Sequence, residues 1–165
     1  MIADYLARMA ETRDTVRSHA LTDGLQLVEL QLSPNPVTTG DPLGFEITLS
    51  SPIQTSIHDF HMVLNNAAGA RVAMIDLRDA KGPYLLGPER PASFVGKIAR
   101  LPLVSGSYGV GFVLRTGREH QDFFDLFHLE VRPPPPRSSL VPYAVQYQGT
   151  TVLDTTFEAR GVNIR

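Results

Sequence analysis

Through the middle of the chain, apolar side chains recur at every second position. Leu43, Phe45, Ile47 and Leu49 alternate with Gly44, Glu46 and Thr48. Phe60, Met62 and Leu64 share one face, which leaves Asp59, His61, Val63 and Asn65 on the other. Tyr108, Val110, Phe112 and Leu114 repeat the pattern, as do Phe127, Leu129 and Val131. A period of two marks a half-buried strand. With 25–32, 72–77 and 94–98, these runs predict about seven strands between residues 25 and 131. Turn-forming residues separate them, at Ser33-Pro34-Asn35-Pro36, Thr39-Gly40-Asp41-Pro42, Asn65-Asn66, Gly82-Pro83, Gly87-Pro88 and Ser105-Gly106. Each strand has one apolar face to cover, and a second sheet covers it most simply. The pattern therefore predicts an all-β fold, a two-sheet antiparallel sandwich of immunoglobulin-like or jelly-roll type.

The two ends read differently. Ile2, Tyr5, Leu6, Met9 and Val16 fall near a helical period, so residues 2–19 are expected to form an amphipathic helix. Residues 1–22 are then a helix packed on the domain or a connector from a larger chain, and 23–132 are the sandwich. Pro133-Pro134-Pro135-Pro136 offers no backbone donors and favours an extended path of about 12 Å. Beyond it, 140–147 and 151–157 read as two strands around Gln148-Gly149. A lone hairpin is marginal in water, so residues 133–165 are expected to pair with their own sandwich or with a partner subunit's open edge.

Candidate chemistry is sparse. Gly106-Ser107-Tyr108-Gly109-Val110-Gly111 has the letters of a phosphate-binding loop, but such a loop must open a helix. Here it runs into a strand, and Gly109 and Gly111 fall on that strand's outward face. His58 and His61 form H-x-x-H, yet on a regular strand they face opposite sides. His120, Asp122, Asp125 and His128 gather near the last strand and read as solvated surface. The acidic pairs Asp76 with Asp79 and Glu119 with Asp122 have nothing to place them across a cleft. No nucleophile elbow is present. The expectation is a protein that is not an enzyme and uses no metal or cofactor.

Bulk numbers narrow the class further. Hydrophobic residues make up 42% of 165, enough for a true core, and 13 Gly with 13 Pro favour many short strands. A formal charge of -2 argues against nucleic acid as a partner. With no cysteine there is neither disulfide nor thiol catalysis, which suits a reducing compartment. No apolar run approaches the roughly 20 residues of a membrane span, and Met1-Ile2-Ala3-Asp4 does not open a signal peptide. A cytoplasmic location is expected.

Three stretches, in order, resemble a known family. "VTTGDPLGFEITLSSP" (37–52) is similar to its early glycine-acid-proline-leucine turn and the strand that follows. "SFVGKIARLPLVSGSYGVGFVL" (93–114) is similar to its link between two late strands, and "DFFDLFHLEV" (122–131) to its final strand. The family is the C-terminal carbohydrate-binding domain of Wzt-type proteins, the ATP-binding subunits of O-antigen polysaccharide ABC exporters. The resemblance covers roughly residues 25–131. It implies an immunoglobulin-like sandwich that binds exported polysaccharide, in characterised members at its capped non-reducing end. It also implies a homodimer, an attached or separate ATPase domain, a transmembrane export subunit and a place at the inner face of the membrane. On this basis Asp59, His61, Asn65, Arg115 and His128 are the candidate carbohydrate-binding residues on the outward face, beside Gly109 and Gly111. Tyr84, in a Gly-Pro-rich loop, is the candidate stacking ring. The alternative is a sandwich that serves protein–protein assembly and binds no glycan.

Overall fold

The inward half of the alternation is what the fold buries. Leu43, Phe45, Ile47 and Leu49 are buried, as are Phe60, Met62, Leu64, Tyr108, Val110, Phe112 and Leu114. The computed structural model describes residues 15–22, 24–136, 141, 143–153, 155, 156, 158 and 160. Among these, ten strands form: β1 (Thr15–Ala20), β2 (Gln26–Ser33), β3 (Val37–Thr38), β4 (Leu43–Ser50), β5 (Thr55–Asn65), β6 (Arg71–Asp76), β7 (Tyr84–Leu86), β8 (Ala92–Ile98), β9 (Gly106–Thr116) and β10 (His120–Arg132). A four-stranded sheet runs β1-β2-β4-β8, and a six-stranded sheet runs β3-β10-β9-β5-β6 with β7 also on β5. Only the short β3–β10 pair is parallel. The fold is thus the expected all-β, two-sheet sandwich. Among the described residues no helix is long and apolar enough to cross a membrane.

Aromatic side chains join the two layers. Phe60 of β5 meets Phe94 of β8, on the facing sheet, edge to face with ring centroids 4.9 Å apart. Phe60 also tilts against Phe112 of β9 at 5.4 Å. Turns are built locally. Asn66 Oδ1 accepts the Ala68 and Ala70 amides at 3.1 and 2.9 Å, and Gly69 takes the left-handed conformation that closes the β5–β6 connection.

Two expectations fail at the ends. Residues 15–20 are an edge strand rather than the end of a helix: Thr15 pairs with Gln31 and Val16 with Leu30. The open ladder of β2 supplies backbone partners there, and Val16 packs against the core. The rest of that helix, residues 2–14, lies outside the described residues. The expected C-terminal hairpin is also absent among the described residues. Val145–Tyr147 is a single 3-10 turn, closed by the Tyr147 amide on Ala144 O at 2.9 Å. Thr151 then makes an isolated bridge with Leu103, and the Val152 amide donates to Pro102 O at 2.6 Å. The tail therefore returns to its own sandwich at the β8–β9 link. Residues 140, 142, 154 and 157 of the expected strands lie outside the described residues.

The outward glycines of β9 have a structural explanation. In β10, Phe123 stands opposite Phe112 and Phe127 opposite Val110, so Phe124, Asp125 and Leu126 oppose Gly111 alone. This bulge folds over the outer face of β9, with Asp125 at a positive φ of 52°. A Cβ on Gly111 would strike the Phe123 carbonyl and stand 3.0 Å from Phe124 Cα. A Cβ on Gly109 would strike the Asp125 carboxylate. Gly111 makes room for the backbone of the β10 bulge, and Gly109 for its Asp125 side chain. Gly111→Ala is accordingly expected to lower unfolding stability by about 1–3 kcal/mol in urea titration. Gly149→Ala, which has nothing within 4 Å, is expected to change stability by less than about 0.5 kcal/mol. Equal stability of both variants would refute the close approach.

Candidate functional site

The outer face of the six-stranded sheet takes its character from a second, smaller bulge. Ile57 pairs with Thr116 and Asp59 with Arg115, which leaves His58 as one extra residue in β5. The extra residue resets the alternation. Ile57 and Phe60 point inward and are buried, while His58 and Asp59 both lie toward solvent. From there His61 stands opposite Val113 on one side and Asp76 on the other.

Four charges interlock across this region. The Arg115 Nε donates to the Asp59 carboxylate. Just past β6, Arg78 grips Asp76 with Nε at 2.9 and 3.1 Å from its two oxygens and Nη2 at 2.6 Å. Arg78 also reaches Asp59, with Nη1 at 3.7 Å from Oδ1. The result is an alternating line, Arg115–Asp59–Arg78–Asp76. The hydrogen bond from Arg115 holds the Asp59 carboxyl below its ordinary range. The Arg78 side chain, helped by its own amide, holds Asp76 down to about 2. Asp76 in turn raises Arg78. All four groups stay accessible: the side chains of Arg115, Arg78, Asp59 and Asp76 are 49%, 56%, 26% and 42% exposed. Guanidinium donors beside carboxylate acceptors suit a vicinal diol, because each hydroxyl both donates and accepts.

The expected site residues do not all converge here. Asp59, His61 and Arg115 come together, and Asp76 and Arg78 join them. Asn65 lies on the same face but is buried, beside Gly109 and the overlying bulge. The bare glycine platform expected there is filled by Asp125 and the Phe123–Phe124 backbone. His128 is exposed opposite Gly109. It is near the far end of the sheet from Asp59, since six residue steps along β5, roughly 20 Å, separate the Asp59 and Asn65 rows. Tyr84 is not a surface platform. Its ring packs edge to face on Phe94 at 4.9 Å, its hydroxyl donates to Leu77 O at 2.6 Å, and burial raises its pKa.

The bulge also corrects the geometry expected for H-x-x-H, because His58 and His61 fall on the same face. Among the described residues, however, no group of three or more His, Cys, Asp or Glu side chains is arranged to hold a metal. Asp76 and Arg78 were the members that the sequence did not single out as a pair. Period two puts Asp76 on the outward side of its strand, but nothing in the sequence says which strand it lies beside.

No protein-family model and no curated protein sequence matches the chain. Among solved structures, the C-terminal domain of Wzt is similar with a TM-score of 0.59 and 13% identity, covering 82% of this chain and 84% of that one. That likeness establishes the fold. A CARDB domain from Pyrococcus furiosus in complex with di-metal ions matches at TM-score 0.42 and 12% identity, over 62% of this chain and 84% of that one. Pseudomonas fluorescens alkylpurine DNA glycosylase AlkC matches at 0.45 and 13% identity, over 79% of this chain and 33% of that one. At those scores neither bears on what this chain binds.

The depressed Asp76 carboxyl gives a signed pH dependence. Its contribution to stability is present above the unperturbed 3.8 and is lost as pH falls from there toward about 2. A carboxyl-carbon NMR titration is expected to place the Asp76 midpoint at about 2. Arg78→Gln is expected to raise that midpoint toward 3.8 and to flatten the stability loss within this window. A midpoint that ignores the substitution would show that Arg78 is not the cause.

Proposed function

We propose that this chain is a non-catalytic carbohydrate-binding domain that recognises an O-antigen-like cell-surface polysaccharide, at its modified non-reducing end, for export by an ABC transporter. The observation that supports this reading most is the accessible Arg115–Asp59–Arg78–Asp76 line on a rigid sheet, in a fold similar to the Wzt C-terminal domain. The side chains hold one another in place before any ligand arrives, which lowers the ordering cost of binding. Hydroxyl pairs of a sugar displace water from donors and acceptors that are already aimed outward. His61, opposite Asp76, and the exposed thioether of Met74, two residues before Asp76, flank the line. Binding without turnover is the reading that suits a line of carboxylates and guanidiniums already paired with one another. The domain would work in the cytoplasm, at the inner face of the membrane, alongside an ATPase domain and a transmembrane export subunit.

One observation also favours the assembly reading. The tail presents Val141, Tyr143, Tyr147 and Leu153 largely to solvent. Exposed apolar side chains on one segment are suited to a partner surface, so we assign the tail to a homodimer contact beside the glycan-binding role.

Two measurements test these assignments. Arg115→Ala and Arg78→Ala are each expected to weaken binding of the native polysaccharide by about tenfold in calorimetry, with an unchanged circular dichroism spectrum. Wild-type affinity in both variants would remove the charged line from the site. Deletion of residues 137–165 is expected to give a monomer by light scattering that still binds polysaccharide. A truncated chain that remains dimeric would rule out the tail as the contact.

A further inference from the structure

A second outward surface differs in kind from the charged line. On the four-stranded sheet, two cross-strand rows run over β2, β4 and β8: Ser33, Gly44 and Lys97, then Gln31, Glu46 and Val95. Gly44 contributes no side chain, so the rows enclose an open groove of about 320 Å³. This lies at the small end of the roughly 300–1,000 Å³ typical of small-ligand sites. Across three strands at about 4.8 Å spacing, its footprint is about 10 Å by 7 Å, the size of one sugar ring. Val95, 74% exposed, forms an apolar wall. The side chains of Gln31, Ser33 and Glu46 make no hydrogen bond or ion pair with any described residue. Among the residues that line the groove, the charged one is Glu46.

We propose that this groove is a second binding site, which takes a neutral hexopyranose ring. The ring's C–H face rests on Val95 and the bare backbone at Gly44. Its hydroxyls reach Gln31, Ser33 and the Glu46 carboxylate, which accepts but cannot donate. An acidic sugar brings a second carboxylate toward Glu46 and is disfavoured. An uncharged sugar meets one acceptor carboxylate, one amide that donates and accepts, one hydroxyl and one apolar wall. The site stands independently of the charged line on the other sheet, and the two faces give the domain two separate points of contact with a polymeric ligand.

The test is amide NMR of the full chain, titrated with methyl gluco-, galacto- and mannopyranosides and with a methyl glucuronopyranoside at millimolar concentrations. At least one neutral glycoside is expected to shift the amides of residues 31, 33, 44, 46, 95 and 96 saturably, with the glucuronide at least about tenfold weaker. Gly44→Leu fills the trough, and its added Cβ would meet only ordinary contacts, 3.4 Å from Ser33 O and 4.0 Å from Gly96 O. It is expected to abolish the shifts. Glu46→Ala, on the exposed side, is expected to weaken them by about tenfold and guards against misfolding of the first variant. Unchanged shifts in both variants, or equal response to the glucuronide, overturn the assignment. Shifts confined to residues 59, 61, 78 and 115 overturn it while leaving the charged line as the glycan site. Concentration-dependent broadening of amides 92–98 without sugar overturns it in favour of a second copy adding to the β8 edge.

Discussion

Phe60 stands where the two sheets meet, and its contacts fix the sandwich. Its ring reaches across to Phe94 on β8 and sideways to Phe112 on β9, so one side chain ties both layers together. Removing a ring of this kind from a core costs roughly 3–5 kcal/mol, a large part of the 5–15 kcal/mol that holds a typical domain together. The paired charges outside contribute little by comparison, because exposed ion pairs are screened by water. The inward rows thus carry the stability. The outward rows are left to present chemistry on a frame that does not depend on them.

Two bulges then decide what the six-stranded sheet presents. The extra His58 lets Ile57 and Phe60 both face inward while Asp59 stays outward beside Arg115. Without it, the residues on the two sides of β5 would keep one uninterrupted phase. The larger bulge of β10 has the opposite effect. It lays Phe124 and Asp125 over Gly111 and Gly109, closing a stretch that would otherwise be open backbone. One end of the face is therefore rich in accessible donors and acceptors, and the middle is covered by the chain itself. On the opposite sheet, Gly44 has no such cover, and a groove remains.

The period-two rows made the sandwich legible from the amino acids alone, because burial of one face is a local and repeated demand. Phe45, Ile47, Phe60, Phe112 and Leu129 are all inside, as their spacing requires. The site was only half legible. Asp59, His61 and Arg115 lie on one patch, but the pairing of β5 with β6 that brings Asp76 and Arg78 to them is a long-range fact with no local signature. Tyr84 shows the same limit: a loop rich in Gly and Pro reads as exposed, yet β7 pairs with β5 and turns that ring inward to Phe94. Val16 was ambiguous because one apolar residue fits either period, and the open edge of β2 settled it as strand.

On the function proposed above, the outward faces of this sandwich hold sugar hydroxyls and cleave no bond. Equilibrium dialysis of the native polysaccharide against the full chain, with sizing of the recovered polymer, tests both halves at once. The expected result is saturable retention by the protein and recovered polysaccharide of unchanged length. Retention no greater than that of a protein-free chamber, or shortened chains with new reducing ends, would contradict it.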